Sequence, residues 1–100
     1  VIAGILAAAL DGIVRKLEAP KAAEGMAYDN EDAPTLPATF TEALDALEAS
    51  ERMREHMSTG LIGIFLTMKR DEIERYNAAV PDPSTRDVTD WEIKEYLEDY

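Results

Sequence analysis

The stretch IAGILAAALDGIVRKL, residues 2–17, decides how the rest of the chain is read. Ile2, Ile5, Leu6, Ala9, Leu10, Ile13, Val14 and Leu17 recur at the i, i+3, i+4 spacing of one helix face. The opposite face carries Ala3, Ala7 and Ala8, and charge enters only at Asp11, Arg15 and Lys16. A helix that is apolar on both sides is normally enclosed in a larger body. A chain of 100 residues offers little to enclose it. The pattern therefore predicts that a partner surface lies outside these residues. Pro20 disfavours helical geometry in the residue before it, so the helix is expected to stop by about Leu17.

Downstream, residues 18–38 show no periodicity. Pro20, Gly25, Pro34 and Pro37 interrupt them, and Asp29, Glu31 and Asp32 cluster among them, so they read as a long acidic loop. Thr39 and Glu42 match the capping box that starts a helix. Phe40, Ala43, Leu44 and Leu47 give that helix, expected over 40–49, an apolar side. Ser50 can cap a short third helix over 51–57. Ser58 or Thr59 can start a fourth over 61–79, lined by Leu61, Ile62, Phe65, Leu66, Ile73, Tyr76 and Val80. Lys69, Arg70, Asp71 and Glu74 are assigned to its outer face, with Asp71 and Arg75 at the favourable i, i+4 spacing. After the turn-rich residues 81–88, Thr89 and Glu92 form a second capping box for a final helix over 90–100. No stretch alternates at period two. The expected fold class is all-α, about five helices with a long acidic loop.

Composition narrows the function. Acidic residues number 21 against 10 basic ones, a net charge of −11. Residues 21–50 hold seven acids and one base, and residues 81–100 seven acids and two bases. Such blocks read as solvated surface. The acidity argues against a nucleic-acid partner and against an anionic membrane surface. The longest apolar run, residues 1–10, is half a membrane span. No basic residue precedes it, so it does not read as a secretory signal. Beginning at Val1 rather than at methionine, the chain reads as a processed product or a fragment.

The chemistry-bearing residues are few. With no cysteine and one histidine, thiolate zinc sites and cysteine catalysis are excluded, and His56 reads as an exposed or helix C-terminal histidine. Met53, Met57 and Met68 read as core filler. Glu92, Glu95 and Glu98 read as a solvated ladder. Gly60 and Gly63 lack the lysine and hydroxyl residue of a phosphate-binding loop. The expectation is no catalytic, cofactor-binding or metal residue in this chain.

Four segments together carry a resemblance. Ile5–Ile13, ILAAALDGI, resembles the helix after the last active-site strand of the glutamine synthetase family. LPATF at Leu36–Phe40 and EALDALE at Glu42–Glu48 resemble the family's Leu-Pro-x-Ser/Thr-Leu-x-Glu-Ala-Leu segment. KRDE at Lys69–Glu72 resembles its Lys-Arg-x-Glu, and VTDWE at Val88–Glu92 followed by Tyr96 and Leu97 resembles its C-terminal ending. The four run in family order over essentially the whole chain.

The resemblance implies the C-terminal portion of an α+β catalytic domain. It implies a parent that is an ATP-dependent glutamate–ammonia or glutamate–amine ligase using Mg2+ or Mn2+ and a γ-glutamyl phosphate. It further implies a cytoplasmic homo-oligomer of full-length subunits, with this segment bound to the rest of its own catalytic domain and inert alone. The family's metal and phosphate ligands lie upstream of Val1 in that reading, so no cofactor is expected in this chain. Tyr28-Asp29 resembles the loop that carries a modifiable tyrosine in some bacterial members, although the following Leu-Pro-Pro of that pattern is missing. Tyr28 is accordingly the one possible modification position. The alternative is a free-standing acidic helical module for protein interaction or oligomerisation.

Overall fold

A computed structural model describes residues 1–26, 28 and 33–98. The acid cluster expected at Asp29, Glu31 and Asp32 and the end of the last helix at Asp99 and Tyr100 lie outside the described residues. The elements are α1 (Ile2–Val14), α2 (Phe40–Ala49), α3 (Glu51–His56), α4 (Thr59–Ala79) and α5 (Asp90–Ile93), the last running into a π-helical turn over Lys94–Glu98. Among the described residues there are helices and no strand, as the periodicities required. The chain divides into two compact units, Val1–Ile62 and Gly63–Tyr100.

In the first unit, α1 packs against α3. Only Ala7 of α1 is buried, with Gly4, Asp11 and Gly12 half-buried. These share one face at the i, i+3, i+7 spacing. A methyl group added at Gly4 would lie 3.7 Å from Met53 Cε, an ordinary contact, so α3 approaches closely on this side. The large residues point elsewhere. Ile2, Ile5, Leu6, Leu10, Ile13, Val14 and Leu17 are each 47–77% exposed. Their periodicity marks one apolar helix face but does not say which face takes the packing role within the chain. Within the chain the small residues take that role, because close helix approach favours a surface without bulky side chains. Leu44 of α2, at 2% exposure, and Ile62 complete the buried set of this unit.

α1 ends three residues earlier than expected, and not through Pro20. Leu17 N–H donates to the Gly12 carbonyl at 3.0 Å and Lys16 N–H to Ile13 at 3.2 Å. That pair is a Schellman closure of the last turn. It places Lys16 at φ 51, the left-handed region that glycine ordinarily supplies.

The other helix starts follow local chemistry. Thr39 Oγ1 accepts from Glu42 N–H at 3.2 Å, and the Glu42 carboxylate accepts from Thr39 N–H at 3.3 Å and Ala38 N–H at 2.9 Å. Ser50 Oγ accepts from Met53 N–H at 3.2 Å, and Ser58 Oγ from Leu61 N–H at 3.3 Å. Thr89 and Glu92 repeat the reciprocal arrangement.

In the second unit, Leu66 and Val80 are buried, and Ile73 and Tyr76 half-buried. Phe65 is 41% exposed and Met68 is exposed, so the inner face of α4 is narrower than expected and Met68 is not core filler. Lys69, assigned to the outer face from the sequence, is half-buried, and Glu72 beside it is buried.

Replacing Lys16 with glycine removes the left-handed strain, about 1–2 kcal/mol, while adding backbone freedom to the unfolded chain. The expected outcome for Lys16→Gly is a stability gain of up to about 1 kcal/mol, read from the urea midpoint. A loss would show that Lys16 does not hold this conformation.

Candidate functional site

Two side-chain clusters carry titratable groups in defined geometry, one in each unit. The first joins the end of α1 to the end of α3. His56 Nε2 lies 3.2 Å from Asp11 Oδ1, with both side chains mostly buried. Asp11 Oδ2 accepts from Arg15 at 3.0 Å, one helical turn on. Glu55 Oε2 accepts from Arg52 at 3.0 Å, which raises the Arg52 pKa further through that hydrogen bond and the charge of Glu55. Asp11, Glu55 and His56 each place one ligand-type atom within 4.8 Å of the others. Of the two sequence readings of His56, exposed or helix C-terminal, the second holds: it ends α3 and is turned inward onto Asp11. A separation of 45 residues left no spacing signal by which the pair could have been found.

The second cluster ties the C-terminal turn to α4. The Tyr96 hydroxyl donates to Glu72 Oε1, and Lys69 Nζ donates to Glu72 Oε2 at 2.7 Å. Glu72 is 8% exposed. Its two oxygens are therefore both engaged, as burial of a carboxylate demands. Arg75 grips Glu95 with two nitrogens, at 2.8 and 3.1 Å, and holds Asp71 at 3.0 Å through Nε. Trp91 lies edge-on to Tyr76 and to Tyr96, with ring centroids 5.3 and 6.2 Å apart. The Arg75 guanidinium sits 5.6 Å from the Trp91 ring and Lys69 Nζ 5.9 Å from that of Tyr96, in cation–π range. Lys69, Glu72 and Arg75 recur every three residues on α4, so one side of that helix presents all three.

These contacts correct the acidic ladder. Glu95 is paired, and Arg75 holds its carboxyl below the usual range. Glu92 is a capping group whose pKa is lowered by the Thr89 N–H and hydroxyl. The side chain of Glu98 lies outside the described residues.

Burial pushes the Tyr96 phenol up to about 12, and its hydrogen bond to Glu72 acts in the same direction. Tyr28, by contrast, is 96% exposed. The large apolar face of α1 is the remaining feature, a surface with no covering side chains among the described residues.

The glutamine synthetase catalytic-domain family matches residues 1–96. The chain belongs to that family. Glutamine synthetase of Thermococcus kodakarensis is 33% identical over 108 residues, which covers 96% of this chain and 24% of the relative. The gamma-glutamylethanolamide synthetase of Streptomyces coelicolor is 32% identical over 97 residues, covering 97% of this chain and 19% of that protein. Glutamine synthetase of Pasteurella multocida is 35% identical over 83 residues, 75% of this chain and 18% of the relative. The chain thus spans a quarter or less of the length of these relatives. No solved structure is significantly similar to it. Among the described residues no helix is long and apolar enough to cross a membrane.

An ultraviolet titration should show a phenol ionising well above the ordinary tyrosine range, and Tyr96→Phe should remove that step. The folded-state pKa is raised, so the folded chain holds the Tyr96 proton longer than the unfolded chain does. The associated stability is present below pH about 10 and is lost as pH rises through about 12. A titration of Tyr96 at the ordinary value would show that its hydroxyl is not engaged by Glu72.

Proposed function

We propose that this chain is the C-terminal helical portion of the catalytic domain of an ATP-dependent glutamate–ammonia or glutamate–amine ligase. The observation that carries the reading is the family match over residues 1–96. In the proposed reaction the glutamate side-chain carboxylate accepts a phosphoryl group from ATP. Ammonia or an amine then displaces phosphate from the γ-glutamyl phosphate. This segment contributes structure and regulation, and the catalytic residues belong to the remainder of the full-length protein.

The residues present do not fit a magnesium–nucleotide site. Mg2+ takes oxygen ligands and is held by carboxylates with substrate phosphates. The one described cluster of three potential ligands includes an imidazole, a donor that Mg2+ does not favour. ATP and Mg2+ or Mn2+ are accordingly assigned to the rest of the parent enzyme.

The exposed stripe of α1 supports the same reading. Six large apolar side chains on α1, with Leu17 just beyond its end, form a face of the kind that soluble monomers do not leave open. Its proposed cover is the remainder of the chain's own catalytic domain, in a cytoplasmic homo-oligomer of full-length subunits. The free-standing interaction or oligomerisation module is not favoured, because the family relation runs through nearly every element. Within this reading Tyr28 is the candidate modification position, and its full exposure leaves the hydroxyl accessible to a modifying enzyme.

The test is ATP-dependent γ-glutamyl transfer assayed with glutamate, Mg2+ and a panel of amines that includes ammonia and ethanolamine. The full-length protein should turn over and the purified 100-residue chain should be inert. Turnover by the short chain would overturn the assignment of all chemistry to the remainder. Tyr28→Phe in the full-length enzyme should retain the unmodified rate and lose control by nitrogen status. Control that survives the substitution would remove Tyr28 as the modification position.

A further inference from the structure

We propose that Asp11, Glu55 and His56 form a binding site for a borderline divalent metal ion such as Zn2+ or Co2+, at the junction of α1 and α3. The proposal does not rest on the ligase reading, and it concerns an ion distinct in chemistry from the one that accompanies ATP. Three observations carry it.

The donor set mixes one imidazole nitrogen with two carboxylates, and their ligand atoms lie within 4.8 Å of one another. Imidazole suits zinc, cobalt and nickel, whereas magnesium and calcium favour oxygen alone. A tetrahedral ion with ligands at about 2.0–2.2 Å requires donors roughly 3.4 Å apart. His56 Nε2 and Asp11 Oδ1 are already 3.2 Å apart, so only Glu55 has to swing inward by side-chain rotation. Three protein ligands leave a fourth position for water, as in open zinc sites.

The carboxylates are oriented from behind. Arg15 holds Asp11 Oδ2 and Arg52 holds Glu55 Oε2, so the other oxygen of each carboxylate is left to turn toward the ion. Hydrogen-bonded ligand carboxylates of this kind are the rule around bound metals. The two arginines also cancel the charge of the two acids. The ion is therefore drawn by its ligands and not by a negative field, which sets an affinity below that of a fully acidic site.

The cluster is sheltered but has an entrance. The Asp11 and His56 side chains are each 14% exposed, while Glu55 is 55% exposed and faces solvent. Coordination requires His56 to carry its ring proton on Nδ1, freeing Nε2 for the metal. The ion then replaces the direct His56–Asp11 hydrogen bond and crosslinks α1 to α3.

The experiment titrates Co2+ into the full-length protein in excess Mg2+, which occupies sites that accept hard cations. Visible absorption reports nitrogen–oxygen coordination of cobalt, and a parallel melt with and without Zn2+ reports stabilisation. The expected result is a visible band and a zinc-dependent rise in Tm. His56→Gln and Asp11→Asn should each weaken both by at least about tenfold in apparent affinity. An identical cobalt spectrum in His56→Gln overturns the site, as does the lack of any band or Tm shift in the parent. Should His56→Gln fail to fold, the solvent-facing Glu55→Gln decides: an unchanged spectrum there also overturns the site.

Discussion

The close approach of α1 to α3 is the constraint on which the first unit depends. Gly4, Ala7, Asp11 and Gly12 give α1 one face narrow enough for another helix to come near, and Asp11 adds a hydrogen bond to His56 across the contact. Once that face is used, the six large side chains of α1 must point outward. Full burial of a Leu, Ile or Val side chain is worth about 1.5–3 kcal/mol. These side chains are 47–77% exposed, so the unrealised burial on α1 is comparable with the net stability of a small domain. The second unit is held differently. Its C-terminal turn is fixed to α4 through Glu72, Arg75 and the Trp91 ring, with polar groups satisfied in pairs.

Much of this was legible in the sequence because the signals were local. The capping boxes at Thr39–Glu42 and Thr89–Glu92 and the caps at Ser50 and Ser58 each depend on residues three apart. They place the helix starts without reference to tertiary context. The family resemblance was carried by segments in order along the chain, and the family match covers the same span. What sequence reading missed depended on long separations or on competition between faces. The face of α1 chosen for packing is set by the shape of α3, which periodicity does not describe. The contacts of Glu72 with Tyr96 and of Arg75 with Glu95 span 24 and 20 residues. The end of α1 was missed for another reason: Lys16 adopts a conformation that lysine rarely supplies, and Pro20 drew attention to a later stop.

The charge pattern follows the same division. The acids that read as a solvated ladder near the C-terminus are partly structural, since Glu92 closes a helix start and Glu95 binds Arg75. Arg75 of α4 receives Glu95 of that acidic ending. An exposed pair of this kind contributes about 1 kcal/mol or less. Its main effect is orientation, setting which face of the π-helical turn meets α4.

Locally self-sufficient helix starts combined with an uncovered α1 have a consequence for how such a segment can be inherited. A piece of protein can be exchanged between genes when its surfaces are complete, because it then carries its own solubility wherever it is placed. This one brings correct helix starts but also a broad oily side that only a matching body can hide. Moved into an unrelated chain, it would stick to neighbours before it found a fold. A chain that receives it has to offer an apolar surface matching the α1 stripe, which limits the settings into which the segment can be moved.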